Sequence, residues 1–240
     1  MGRGRGCRRA HLNRPRVTPD DEARFSAREH KRQFFWAAFT TLTFNGISGD
    51  YAEFGCYGGV TFALAHEQIA HPSGQVSWQP TLARHMWAFD SFSGLPPSSG
   101  PDDDHPLWRP GVFAMDEESF HRVCDANGIP RDAYTAVPGY YEESLGAAAP
   151  SDAPNDIALA YIDCDMYSSA RSVLEYLRPR LKHGMILAFD DYFCFSSERV
   201  AGEKLAFEEL VAGETAWRFE RYRDIGWAGA SFVVESNARG

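Results

Sequence analysis

Five short apolar runs, each separated from the next by a stretch long enough for a helix, constrain what this 240-residue chain can fold into. Runs that are apolar on both faces belong in a parallel sheet that helices cover on both sides. Their alternation with helices therefore predicts a single α/β domain with a doubly wound, mostly parallel sheet. The runs are YAEFG at 51–55, MWAFDSF at 86–92, YTAVPG at 134–139, IALAYID at 157–163 and MILAFDD at 185–191.

The two ends of the chain add elements to this sheet. WRFERY at 217–222 and SFVVE at 231–235 follow each other without a helix between them, which predicts a terminal antiparallel pair of strands. Near the N-terminus, a Pro-containing capping pattern at 18–21 and a Gly at position 46 mark the two ends of a helix. We therefore predict an N-terminal helix over residues 18–46.

Composition excludes several classes of protein. Residues 1–16 hold six Arg and no acid, which predicts a disordered basic leader over 1–17. The whole chain nevertheless has a net charge of −9. We therefore predict no nucleic-acid surface on the domain, residues 18–240. No apolar run reaches the ~18 residues of a membrane span, and no signal-peptide core follows the leader, which predicts a cytoplasmic protein without membrane contact. Five Cys without a C-x-x-C pair favour neither disulfides nor zinc.

One long stretch, residues 93–114, has no regular pattern and follows the second strand. Irregular loops of this length inside a compact domain are usually either functional or disordered. This loop leaves the sheet at the edge where open α/β sheets bind ligands. We interpret it as a lid over a substrate, with plain disorder as the alternative.

The first strand runs into a Gly-rich turn, Y-A-E-F-G-C-Y-G-G at 51–59, where glycines allow a ligand to approach the backbone closely. The acidic Glu53 disfavours a nearby pyrophosphate, so a cationic or uncharged ligand fits better. Asp90 ends the next strand, where an acid can bind a ribose diol; a helix-capping or turn-capping role is the alternative. Together, Glu53 and Asp90 suggest a ligand that contains adenosine but no phosphate.

Acids also end the fourth and fifth strands, as Asp163 and Asp165 and as Asp190 and Asp191. If these strands are neighbours, four carboxylates meet at one edge of the sheet, and their repulsion has to be offset by a cation. Oxygen donors favour Mg²⁺ over Zn²⁺. A carboxylate beside the ion can remove a proton from a bound hydroxyl. The alternative is that these acids cap helices or lie in solvent.

At these residues the sequence resembles the macrocin-type (TylF) O-methyltransferases, which methylate sugar hydroxyls of natural products. The resemblance covers about 47–207 and departs from the family pattern at Val60 and at 182–185. It implies a Rossmann-like class I methyltransferase fold with strand order 3-2-1-4-5-7-6, S-adenosylmethionine (SAM) as methyl donor, and Mg²⁺. The motifs that carry it are, in order, E-F-G-C-Y-G-G, D-S-F-S-G-L-P, V-P-G-Y-Y-E-E-S-L, I-D-C-D-M-Y-S-S and D-D-Y.

The resemblance also implies roles for individual residues. Asp163, Asp190 and Asp191 match metal ligands, and Asp165 matches a general base. A larger set matches positions that bind SAM in the family. That set consists of Glu53, Phe54, Gly55, Tyr57, Asp90, Ser91, Gly139, Tyr140 and Asp163.

We therefore predict a Mg²⁺-dependent O-methyltransferase that transfers the methyl group of SAM to a hydroxyl of a natural-product sugar or another vicinal diol. The acceptor, the hydroxyl and the oligomeric state stay open. The D-x-D sequence at 163–165 leaves a metal-dependent nucleotide-sugar glycosyltransferase as one alternative. A non-catalytic binding protein on the same fold is the other.

Overall fold

The structure is a computed structural model that describes residues 19–70, 83–146 and 153–237, with side chains described from residue 23 onward in the first segment. The predicted leader over 1–17 lies outside these residues. Among the helices within the described segments, none is long and apolar enough to cross a membrane.

Seven strands form one sheet in the order β3-β2-β1-β4-β5-β7-β6. β1 to β5 pair in parallel, and β7 runs antiparallel to both β5 and β6. The predicted strand order and the Rossmann-like fold are confirmed. The strands are β1 Asp50–Phe54, β2 Met86–Asp90, β3 Tyr134–Pro138, β4 Ile157–Ile162, β5 Ile186–Phe189, β6 Trp217–Ile225 and β7 Gly229–Ser236.

Helices cover both faces of the sheet, because each face has its own buried apolar cluster. Side chains of α1, α2 and α3 pack in one cluster, and side chains of α5 and α6 pack in the other. The helices are α1 Pro19–Phe44, α2 Val60–Ala70, α3 Glu117–Ala126, α4 Tyr141–Ser144, α5 Tyr167–Leu177 and α6 Gly202–Ala212.

The N-terminal helix α1 is held on the sheet by an aromatic stripe. Phe35, Phe39 and Leu42 are buried, and the Phe35 ring lies 5.1 Å from the ring of Tyr161 on β4. The helix ends where the chain enters a left-handed turn at Gly46, whose φ is 68°. This packing brings the first half of α1 over the ends of β4 and β5.

The pairing register of the central strands places their carboxyl ends side by side at one edge of the sheet. Phe54, the last residue of β1, pairs with Phe89 of β2 and with Ile162 of β4, and Ile162 in turn pairs with Phe189 of β5. The residue that follows each of these strand positions therefore lies on one edge of the sheet. Those residues are Gly55, Asp90, Asp163 and Asp190.

Gly55 is required at this edge because β1 and β4 approach closely there. Its φ is 95°, and a Cβ atom at this position would lie 1.8 Å from the carbonyl oxygen of Asp163. Gly58 in the same turn also has a positive φ, 74°, but a Cβ atom there would meet nothing within 4 Å. Alanine substitutions at the two glycines therefore distinguish the free-energy cost of a left-handed backbone from that of the steric clash.

We expect Gly55→Ala to lower the free energy of unfolding by about 1–3 kcal/mol more than Gly58→Ala, because only the first substitution forces the strands apart. Gly58→Ala should itself cost about 1–2 kcal/mol for the left-handed backbone. Urea unfolding of the two variants and the unmodified chain measures both values. Equal losses would contradict the close approach of β1 and β4.

Candidate active site

A first cavity lies over the carboxyl ends of the central strands. Its wall brings together eight of the residues that the sequence singled out, from the turns after β1, β2, β3 and β4. Parallel strands with level ends place these turns side by side, which is why residues far apart in sequence meet here. The eight are Gly55, Tyr57, Asp90, Ser91, Gly139, Tyr140, Asp163 and Asp165.

Asp90 is fixed at the wall of the first cavity by backbone donors on both sides. Its Oδ2 accepts a hydrogen bond from the N–H of Cys56 at 2.6 Å, and its Oδ1 accepts one from the N–H of Phe92 at 2.7 Å. Burial raises the pKa of Asp90, and the two N–H donors act against this rise. Each carboxylate oxygen retains a free lone pair, so Asp90 can also accept from ligand hydroxyls.

Two of the predicted SAM-binding residues, Glu53 and Phe54, are not on this wall. Both are fully buried, and as neighbours in a strand they point to opposite faces of the sheet. Phe54 stacks on Phe89, with ring centroids 4.9 Å apart. Glu53 accepts hydrogen bonds from the hydroxyls of Tyr51 and Thr61, and burial raises its pKa to about 7. Their side chains lie behind the turn, and direct contact with a ligand stays a prediction.

The four acids meet as the strand order predicts. Asp163 follows Ile162, which pairs with Phe189, and Asp190 follows Phe189, so the two carboxylates are neighbours. Asp165 has a left-handed backbone with φ 63° and shares a side-chain hydrogen bond with Asp191. Burial raises the pKa of Asp163, Asp165 and Asp191, and mutual repulsion among the acids raises it further.

Lys31 of α1 reaches these acids, which sequence reasoning missed. Its Nζ lies 2.7 Å from Oδ2 of Asp190, and the hydroxyl of Tyr161 donates to Oδ1 of Asp190 at 2.6 Å. Burial alone lowers the pKa of Lys31, but the neighbouring acids outweigh it and the net shift is upward. A signal was present, since Lys31 continues the helical spacing of Phe35, Phe39 and Leu42 by one turn.

The acids suit a divalent ion by donor type and by charge, because all are oxygen ligands and their repulsion is only partly offset by Lys31. The ligand set is not preassembled, however. Within the described segments, no three His, Cys, Asp or Glu side chains converge as a metal site. Both oxygens of Asp190 are engaged by Lys31 and Tyr161. Binding of an ion at this edge requires these contacts to rearrange.

A second cavity, of about 530 Å³, lies on the other side of the acids. Its walls are α1, which contributes His30 and Lys31, and the turn between β6 and β7, which contributes Trp227. Trp227 is 83% exposed, so its ring faces solvent at the rim. Asp190 and Asp191 line this cavity, whereas Asp163 and Asp165 line the first. The two cavities therefore adjoin at the acid pairs.

The loop over 93–114 packs against the first cavity. Gly94, Leu95, Pro96 and Phe113 line that cavity. Asp103 is buried and anchors the loop, because its carboxylate accepts hydrogen bonds from the backbone N–H of Ser168 at 2.8 Å and from the Ser168 hydroxyl at 3.0 Å. These contacts tie the loop to α5, and its movement as a lid stays a prediction.

The profile of the macrocin O-methyltransferase (TylF) family matches residues 24–210, which is most of the chain. This chain belongs to the macrocin O-methyltransferase family. The match includes all four acids, Lys31 and the whole first cavity. The glycosyltransferase alternative, which depended on the D-x-D sequence alone, has no comparable support.

Two characterised relatives of the family are similar over part of their length. One is the 8-demethyl-8-(2,3-dimethoxy-alpha-L-rhamnosyl)-tetracenomycin-C 4'-O-methyltransferase of Streptomyces olivaceus, 29% identical over 160 residues, which are 63% of this chain and 56% of that protein. The other is the demethyldecarbamoylnovobiocin O-methyltransferase of Streptomyces niveus, 27% identical over 154 residues, 62% of this chain and 54% of that protein. The chain spans only a little over half of either relative.

Solved structures agree on the fold. The O-methyltransferase NovP superimposes with a TM-score of 0.66 at 20% identity, covering 87% of this chain and 80% of its own. CalS11, the calicheamicin methyltransferase, superimposes with a TM-score of 0.63 at 23% identity, covering 90% of this chain and 80% of its own. At these identities the likeness supports the class I methyltransferase fold and does not by itself assign a substrate.

Proposed function

We propose that this chain is an O-methyltransferase that transfers a methyl group from SAM to a hydroxyl of a sugar on a natural product, with Mg²⁺ at the acidic edge. The observation that carries the proposal is the pair of cavities that adjoin at Asp163, Asp165, Asp190 and Asp191. A donor in one cavity and an acceptor in the other would meet at these carboxylates. Family membership and the sugar named in one relative support the acceptor class.

In this proposal the donor occupies the first cavity. Asp90 accepts hydrogen bonds from the ribose hydroxyls, for which its position at the end of β2 is suited. Gly55 and Gly139 allow close approach of the ligand to the backbone, since both have positive φ values and line the wall. SAM, when bound, supplies a methyl group on a positively charged sulfur, and the acids of the wall favour that charge.

The acceptor occupies the second cavity. Trp227 at its rim offers an aromatic face to a sugar ring, and Asp190 and Asp191 lie at its inner end. Asp163, Asp190 and Asp191 would hold Mg²⁺, which would supply positive charge that makes an acceptor hydroxyl more acidic. Asp165 accepts the proton of the reacting hydroxyl. Alignment of donor and acceptor by the two cavities supplies much of the rate, since positioning can be worth about 7–11 kcal/mol.

Calorimetric titration with SAM and, separately, with Mg²⁺ tests the two binding functions. We expect the unmodified chain and the Asp190→Asn/Asp191→Asn variant to bind SAM equally, because neither residue lines the first cavity. Only the double variant should lose Mg²⁺ binding. No SAM binding by the unmodified chain, together with tight binding of a UDP-sugar, would favour the glycosyltransferase alternative.

Asp165→Asn tests the proposed general base. We expect this variant to retain SAM binding, because Asp163, Asp90 and the glycines of the same wall are unchanged, and to lose about 10²–10⁴-fold in kcat, because the amide cannot accept the proton. Methyl transfer from SAM to methyl α-L-rhamnoside, a simple sugar with neighbouring free hydroxyls, measures the rate. Asp125→Asn, an exposed acid on α3, serves as the control and should be unaffected. Turnover retained by Asp165→Asn would remove Asp165 from the mechanism.

Trp227→Ala tests the acceptor side. We expect KM for methyl α-L-rhamnoside to rise about 10-fold, equivalent to about 1.4 kcal/mol of lost binding, with kcat and SAM affinity unchanged. Val211→Ala removes an exposed apolar side chain from α6 and should change neither constant. An unaltered KM in Trp227→Ala would mean that the acceptor does not lie against this turn.

A further inference from the structure

A buried carboxylate behind the four acids has no role in the chemistry described so far. Glu203 is the second residue of α6 and is fully buried. Its Oε1 accepts hydrogen bonds from the backbone N–H groups of Cys164 at 3.0 Å and of Asp165 at 3.3 Å. Its Oε2 accepts one from the backbone N–H of Asp191 at 3.1 Å. One side chain therefore joins the turn after β4 to the turn after β5.

The electrostatics make a purely structural role for Glu203 costly. All three donors are neutral backbone N–H groups, while Asp165 and Asp191 repel a charge on Glu203. Burial of a carboxylate without a cation is unfavourable, and a neutral side chain of similar shape would fill the same space at lower cost. Only a carboxylate provides two oxygens that can accept hydrogen bonds from both turns at the same time.

The backbone of Asp165 needs such support. A non-Gly residue at φ 63° is strained by about 1–2 kcal/mol and persists only where its surroundings fix it. The start of α6 lies directly against it, since a Cβ atom at Gly202 would be 3.0 Å from the carbonyl oxygen of Asp165. The hydrogen bond from the Asp165 N–H to Glu203 holds the other side of the same residue.

We propose that Glu203 is a positioning residue that fixes Asp165 and Asp191 relative to each other for methyl transfer. This inference rests on the proposed function, in which Asp165 accepts the proton and Asp191 holds the metal. Glu203 touches neither cavity and acts only through the two turns. Its loss should therefore misplace the base without changing the donor site.

Glu203→Gln is the first test, because glutamine has the same shape but presents an NH₂ group where one oxygen accepted a hydrogen bond. We expect kcat for methylation of methyl α-L-rhamnoside to fall about 100-fold, as misplacement of a reacting group by about 1 Å can cause. KM for SAM and SAM affinity by calorimetry should stay within two-fold. The matched control is Glu208→Gln, which changes an exposed carboxylate on the same helix.

A second readout needs no acceptor. Hydrogen exchange at the amides of Cys164, Asp165 and Asp191, followed by NMR, should accelerate at least 10-fold in Glu203→Gln for the turn that faces the new NH₂ group, and should stay unchanged in Glu208→Gln. Unchanged exchange at these amides would overturn the proposal. So would wild-type kcat, or losses of kcat and SAM affinity in equal measure, because that pattern indicates general destabilisation.

If Glu203→Gln failed to fold, Glu203→Asp and Glu208→Asp would decide. Glu203→Asp keeps both acceptor oxygens but draws them back by one methylene group, whereas the same change at Glu208 shortens an exposed side chain. We expect the kcat loss only in Glu203→Asp, and equal kcat values in both would overturn the inference. Absence of SAM binding in the unmodified chain would instead overturn the proposed function, so the two failures are distinguishable.

Discussion

The repulsion among four carboxylates at the ends of β4 and β5 is the constraint on which the rest of this structure depends. Parallel pairing of the two strands makes the crowding unavoidable, because each strand continues directly into an acid. The protein offsets it with the ammonium of Lys31 on α1 and with the hydroxyl of Tyr161 on β4. The aromatic stripe of α1 holds the helix on the sheet, so that the helix carries Lys31 to the acids and forms one wall of the second cavity.

The sequence predicted those parts of the structure that local patterns encode. Apolar runs that end in acids indicated the strands, and the family resemblance implied their order. Together they predicted that Asp163 meets Asp190. The position of Asp90 at the edge of the sheet follows from the same logic, since a residue at a strand end stays at the sheet edge whatever covers the faces. These features depend on spacing within about ten residues and on a fold whose topology is restricted.

The parts that could not be predicted depend on long-range packing. Lys31 is 159 residues from Asp190, and Glu203 is 39 residues from Cys164. Helical spacing places Lys31 on the same face of α1 as Phe35, but neither this spacing nor the sequence around Glu203 shows that the residue contacts the acids. Glu53 could not be placed for a different reason. In a strand that is apolar on both faces, the sequence pattern does not indicate which way a single acid points. In the structure, Glu53 faces two buried hydroxyls.

The separation of the two cavities has a consequence for how such a chain can diverge. The first cavity, where we propose that the donor binds, is built from strand ends and tight turns, where even one added methyl group at Gly55 meets backbone. Part of the rim of the second cavity, where we propose that the acceptor binds, is a hairpin tip at which Trp227 is exposed to solvent. Under this proposal, substitutions at that rim would alter the choice of acceptor without touching the strand ends that hold the donor.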